Sequence, residues 1–376
     1  MERAEVVVAG AGCLGASAAY RLAQAGVDVL LLDRGEPGAG STIKAAGGVR
    51  AQFSDEVNIA LAARSLAQFG RFEAELGQAI DLHTVGYLFL LSTGQDVADF
   101  ERAVERQNAL GVPSRMLSVE EAVALSPYVV GDGLLAAAFH AGDGHCDPAS
   151  VVAGYLRAAR ALGARVRTGT PVTGMQRVGE RVTAVETAEG PVACDGVVVA
   201  AGAWSRGVGA HAGVDLPVTP LRRQILVTEQ VPGKVRGAPM TIDHATSFYF
   251  HDEGDALLVG MSDPEEEPGF DVRRHDRWLP RLAAAIERRT PALAGVGIRT
   301  GWAGLYEMTP DHNGLVGRSG NVVYATGFSG HGFLMAPAVG EVVRDLWLRQ
   351  DAVVDVSTLA ADRDFGAAPV VERHIV

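Results

Sequence analysis

The chain has 376 residues, 48% hydrophobic and 21% charged, which is enough apolar content for two domain-sized units and excludes an intrinsically disordered protein. Its 33 basic and 45 acidic side chains leave a net charge of −12, which argues against DNA or RNA as a partner. Three cysteines, Cys13, Cys146 and Cys194, lack metal-ligand or disulfide spacing, no apolar run reaches the roughly 18 residues of a membrane span, and no leader pattern precedes the first strand; these features predict an unprocessed cytoplasmic protein without zinc.

Residues 5–9 predict a short apolar strand, and Gly10-Ala11-Gly12-Cys13-Leu14-Gly15 predicts a glycine-rich turn. An Ala-rich helix over 16–25 follows, stopped by Gly26, and a second apolar strand over 27–32 closes on Asp33. Such continuously apolar strands fit a parallel sheet covered on both faces. Three glycines at this spacing are a weak signal alone. The strand before them, the helix after them and an acid 18 residues beyond Gly15 make a dinucleotide site. Gly10 makes the sharp turn, Gly12 admits a pyrophosphate, and Gly15 lets the helix lie on the sheet, while Asp33 accepts from ribose hydroxyls. NAD and FAD both satisfy this pattern. The second glycine-rich tract, 35–48, follows the acid directly and suits a large flat ligand better than continued βα alternation does.

Further along, 56–76 reads as helix and 83–92 as strand. Ser118 with Glu121 forms a capping box, and Asp147-Pro148 opens a helix ending near Gly163. Residues 164–167, 181–187 and 195–201 return to strand. Over 222–229, 247–251 and 256–261 the pattern is that of an antiparallel sheet, followed by a helix over 276–289. Last come a strand over 322–325, the turn Gly327-Phe328-Ser329-Gly330-His331-Gly332-Phe333-Leu334, and a helix from about Ala336 to Leu348. A strand-turn-helix aims a helix N-terminus at whatever fills the turn and favours negative charge there. His331 either adds a hydrogen bond to that site or only fills the turn.

Four runs, Gly10–Gly15, Gly40–Arg50, Val197–Ser205 and Gly327–Phe333, occur in an order and spacing that resembles the FAD-dependent amine oxidoreductases. That group holds D-amino-acid oxidase, glycine oxidase, sarcosine oxidase, dimethylglycine dehydrogenase and related proline dehydrogenases. The similarity spans nearly the whole chain, and the C-terminal run is most similar to sarcosine oxidase and its beta-subunit-like relatives. It implies an α/β plus α+β fold: a Rossmann-like FAD-binding domain (1–80, 145–215 and 310–376) with an interleaved antiparallel-sheet substrate domain (81–144 and 216–309).

The resemblance further implies non-covalent FAD. Contacts would come from Gly10, Gly12, Cys13, Leu14, Gly15, Asp33 and Arg34 at the nucleotide end, and from Ser41, Thr42, Lys44, Ala45, Ala46 and Gly47 along the chain of the cofactor. Val172, Ala201, Gly202 and Trp204 would flank it, and Gly304, Gly330, His331, Gly332, Phe333 and Leu334 would meet the flavin. For Trp204 a plain core aromatic is the alternative. The implied reaction oxidises the C–N bond of a small secondary or N-methylated amino acid, sarcosine- or proline-like, with hydride passing to flavin N5 and the imine hydrolysing. Arg50 is the expected carboxylate partner, with a solvated surface arginine as its alternative; Tyr249 and Tyr306 would wall the amine face or simply pack in the core.

Departures from the family qualify this expectation. Leu334 stands where sarcosine oxidase has a carboxylate-binding lysine, and Gly304 falls near its covalent-flavin cysteine. Leu258 replaces a lysine implicated in oxygen activation, and Tyr306 falls near the arginine of glycine and D-amino-acid oxidases. Oxygen or another electron acceptor therefore both remain open, as does a flavoprotein subunit active only with a partner chain. An NAD-dependent dehydrogenase is a further alternative and would be colourless.

Overall fold

The computed structural model describes residues 2–366 and Glu372; Met1 and 367–371 and 373–376, which belong to the first and last segments assigned above to the FAD-binding domain, lie outside the described residues. The opening βαβ unit builds the centre of an eight-stranded sheet. Strand Glu2–Ala9 pairs in parallel with Val29–Leu32 on one side and Gly190–Val199 on the other, with Val8 opposite both Leu31 and Val198. Arg165–Arg167 and Val322–Thr326 extend it in parallel, and Leu315–Ser319 closes one edge antiparallel. Alternate side chains enter two cores: Val6, Val8 and Leu31 pack under helices, while Val7, Leu30 and Leu32 pack with Leu216 and Tyr324 on the far side. This double burial is why the strands are apolar at every position.

Helix Cys13–Gln24 lies between Pro148–Ala161 and Gly332–Leu348. The Asp147 carboxylate caps the second of these on Ala149 N and Ser150 N, as its sequence predicts, and the Ser118/Glu121 capping box forms at Val119–Leu125.

A second eight-stranded sheet runs in the order Ile298–Met308, Thr219–Thr228, Ala256–Gly260, Phe248–Glu253, Met240–Asp243, Tyr87–Leu91, Ala136–His140, Arg115–Leu117. All its pairings are antiparallel except Met240–Asp243 with Tyr87–Leu91. One face packs on helix Leu279–Arg289 through Trp278 and Leu282. The other carries Tyr87, Ile225, Met240, Tyr249 and Leu258.

Local patterning misses in several places. The helix expected over 56–76 is two, Glu56–Phe69 and Phe72–Leu76, interrupted at Gly70 where the cost of glycine in a helix outweighs the apolar period. Helix Gly94–Ala109, capped by Thr93, shows few apolar residues beyond Val97, Phe100 and Val104 and was not expected. Strand Ile298–Met308 was likewise not expected; it hydrogen-bonds along the whole of Thr219–Thr228. The last helix starts at Gly332, ahead of the expected Ala336, and tolerates Pro337 inside it although proline has no N–H to donate to the preceding turn.

Candidate active site

One cavity of about 900 Å³ runs between the two sheets, near the upper end of ordinary ligand pockets. At one end lies the Gly10–Gly15 turn. Gly10 has φ +110°, and a Cβ there would stand 2.3 Å from the Ala200 carbonyl oxygen, so only glycine fits. Gly15 is the one predicted contact absent from the cavity wall; a Cβ on it would lie 1.8 Å from the Gly10 carbonyl oxygen, which shows that it packs the helix onto the turn. The start of helix Cys13–Gln24 is stitched to the second glycine tract, since Cys13 N donates to Thr42 Oγ1 at 3.1 Å. Asp33 lines the cavity while accepting from Ala11 N at 2.6 Å and Gly35 N at 2.8 Å, so it ties both glycine loops together. Burial pushes the Cys13 thiol up to about 12, which keeps it an unreactive lining group.

The second tract spans the seam between the sheets. Ser41 Oγ donates to Leu305 O at 2.6 Å and Trp302 Nε1 donates to Lys44 O at 2.9 Å, Leu305 and Trp302 both lying on the second sheet. His251 Nε2 lies 2.9 Å from Ala46 O, and Gly48–Val49 pairs with Gly144–His145. Ser41, Thr42, Lys44, Ala45, Ala46 and Gly47 all reach the cavity, as do Val172, Ala201, Gly202 and Trp204. Trp204 is not a core aromatic: it is half-buried, with the Arg34 guanidinium 4.3 Å from its ring centroid and Phe270 stacked at 5.5 Å.

Arg50, Tyr249, Tyr306 and His331 meet at the other end, with Gly304, Gly330, Gly332, Phe333 and Leu334. Arg50 is 3% exposed, so it is not a surface arginine. Its guanidinium donates to the Gln52 carbonyl, lies 4.0 Å from the Phe53 ring centroid and brings Nη2 within 3.4 Å of His331 Nε2. As arginine only donates, that His331 nitrogen accepts. The loop bearing Arg50 is held by the buried Asp143 carboxylate, which accepts from Ala51 N at 2.8 Å and Gln52 Nε2 at 3.0 Å and lies 2.7 Å from His140 Nδ1. Three tyrosines sit over glycines: a Cβ at Gly48 would strike the Tyr87 hydroxyl, one at Gly260 the Tyr249 ring, and one at Gly330 the Tyr306 ring. Burial raises all three phenols, so they stay neutral hydrogen-bonding groups.

The family model for FAD dependent oxidoreductases matches residues 5–346. The chain belongs to this family. Dimethylglycine dehydrogenase, mitochondrial, from Rattus norvegicus is 32% identical over 386 residues, covering 96% of this chain and 45% of its own length. Sarcosine dehydrogenase, mitochondrial, from Homo sapiens is 32% identical, covering 90% of this chain and 39% of its own. The chain thus spans less than half the length of these curated relatives. Among solved structures, L-proline dehydrogenase from P. horikoshii superposes with a TM-score of 0.90 at 31% identity, covering 96% of this chain and 97% of that one. Glycine oxidase from Geobacillus kaustophilus, at TM-score 0.86 and 24% identity, covers 97% and 100% and shares the fold.

The residues of this FAD-dependent oxidoreductase fit its cofactor. At Gly12, Gly202 and Gly332 an added Cβ would meet no protein atom closer than 3.3 Å, so these glycines leave room in the cavity itself. Leu258 is buried with Tyr249 and Ile225 behind the cavity and brings no charge. Tyr87, Arg223, Phe270 and Glu307 are among the lining residues that escape sequence reasoning. The Glu307 carboxylate accepts from Thr326 Oγ1 at 3.1 Å, and burial raises its pKa. The signal for Arg223 was an arginine between Leu221 and Ile225 on one face of a strand.

Proposed function

We propose that this chain oxidises the C–N bond of a small secondary or N-methylated amino acid, sarcosine- or proline-like, in a cytoplasmic setting. The observation that carries this reading is the convergence of two arginines and three neutral tyrosines on one end of a cavity whose other end has dinucleotide architecture. The names of the proline, sarcosine and dimethylglycine dehydrogenases support it.

The Gly10–Gly15 turn, Asp33 and the 41–47 tract would hold the nucleotide and pyrophosphate, and the 330–334 turn would hold the flavin. When bound, FAD supplies the acceptor for the hydride equivalent lost from the carbon beside the amine, leaving an imine that water hydrolyses. The chain's own part is orientation and charge. Guanidiniums fix the carboxylate, and Tyr249 and Tyr306 wall the amine. A chamber lined by aromatics and cations disfavours an ammonium, so the amine is held in its neutral, reactive form.

Passage of the electrons to an acceptor other than oxygen is the second reading, and the uncharged Leu258 favours it. A panel of sarcosine, N-methyl amino acids, glycine and both proline enantiomers, assayed with a redox dye and with oxygen, tests both. Turnover with secondary amino acids supports the reading; turnover with primary amines alone contradicts it. Dye reduction far faster than oxygen uptake identifies the dehydrogenase.

A further inference from the structure

Two adjacent arginines on strand Thr219–Thr228 have opposite surroundings. Arg222 faces outward and is compensated: its Nη2 lies 2.8 Å from Glu266 Oε1 and its Nη1 3.2 Å from Asp271 Oδ2. Arg223 faces the cavity with Ile225. Its Nη1 donates to the Arg222 carbonyl at 3.1 Å, but its buried Nε has no hydrogen-bond partner, and among the described residues no carboxylate lies within ion-pairing distance of it. Glu266, the nearest candidate on the outer side, is already shared by Arg222 and His275.

The cavity that Arg223 lines leaves room for an anion beside this guanidinium. Across the sheet Arg223 pairs with Gly304, over which the Lys44 stem lies, and its Cζ stands 5.3 Å from the Tyr306 ring centroid. Tyr306 is within electrostatic reach of Arg50 as well, so two cations serve the same corner. The turn at Phe333 and Leu334 brings no charge there. Burial lowers the pKa of Arg223, as expected for a cation without a counterion. A desolvated, unpaired charge is costly, and an anionic ligand offsets that cost.

We propose that Arg223 is a substrate-binding residue that takes the substrate carboxylate from the sheet side, sharing it with Arg50 on the loop side. This rests on the amino-acid reading above. Neutral amines without a carboxylate are then poor substrates, because they leave the Arg223 guanidinium desolvated and uncompensated.

The test uses holoprotein and an amine-free analogue of proline, tetrahydrofuran-2-carboxylate, with its uncharged amide as control, read as perturbation of the flavin visible spectrum. Wild type binds the carboxylate and not the amide. Arg223→Gln keeps its FAD and weakens carboxylate binding roughly 30-fold or more, whereas Arg223→Lys recovers part of the loss. With amino-acid substrate, Arg223→Gln raises KM more than it lowers kcat. Unchanged carboxylate affinity in Arg223→Gln, beside a responsive wild type, overturns the assignment and leaves the amino-acid reading standing. So does purification of both variants without FAD, which would give the guanidinium to the cofactor. A wild type that answers neither carboxylate nor any amino acid overturns both.

Discussion

The two ends of the cavity are built in opposite ways. The nucleotide end comes mostly from one stretch, Gly10 to Gly48, joined by Val172, Ala201, Gly202 and Trp204, and its wall is largely main chain and glycine. The amine end is gathered from Arg50, Tyr87, Arg223, Tyr249, Tyr306 and His331; Arg50 and His331, in contact through Nη2 and Nε2, are 281 positions apart. Local geometry dominates the first and long-range packing the second, so damage at the first should remove the cofactor, whereas damage at the second should leave a yellow protein that handles substrate badly.

The largest effect is expected at Gly10. Gly10→Ala combines a positive φ with a 2.3 Å approach to the Ala200 carbonyl oxygen, and should destabilise the protein by about 3 kcal/mol or more and abolish FAD retention. Thermal melts and flavin absorbance of the purified variant read both. A normally yellow Gly10→Ala would break the contrast between the ends.

Asp143→Asn probes the amine end. The buried carboxylate holds the Arg50 loop through Ala51 N and Gln52 Nε2, so its loss should cost about 2 kcal/mol and lower substrate turnover while FAD content stays normal. Substrate kinetics beside a flavin-to-protein ratio decide it; loss of flavin would show that the two ends are not separable.

Glu307 adds a pH dependence at the join. Burial raises its pKa, so its contribution to stability is full below the ordinary glutamate range and is lost as pH climbs through the raised value. Glu307→Gln cannot ionise. Its melting temperature should therefore gain on wild type as pH rises above the ordinary glutamate range, and a constant difference would count against a buried acid there.

The smallest effect belongs to Phe270, which is 53% exposed and stacks on Trp204 at the nucleotide side. Phe270→Ala should speed FAD release by a few-fold, equivalent to about 1 kcal/mol, measured by fluorescence on dilution.

This contrast also explains what the sequence disclosed. Gly10, Gly12 and Asp33 are legible because a tight turn, a close approach and a strand-end acid are local demands with few residue solutions. The capping box at Ser118 and the cap at Asp147 are legible for the same reason. Arg223 was not, since its meaning depends on the cavity it faces and on distant Glu266 being taken by Arg222. Glu307 and Tyr87 share that difficulty: a buried acid held by Thr326 and a tyrosine seated on Gly48 look like ordinary strand residues until the sheets are brought together.

The decisive measurement is anaerobic stopped-flow mixing of the purified protein with proline or sarcosine, following absorbance at about 450 nm. A yellow protein that bleaches at a rate saturating with the amino acid, with FAD set free by acid precipitation, is the predicted result. A colourless protein, or a yellow one that keeps its colour with every secondary amino acid, would contradict the account.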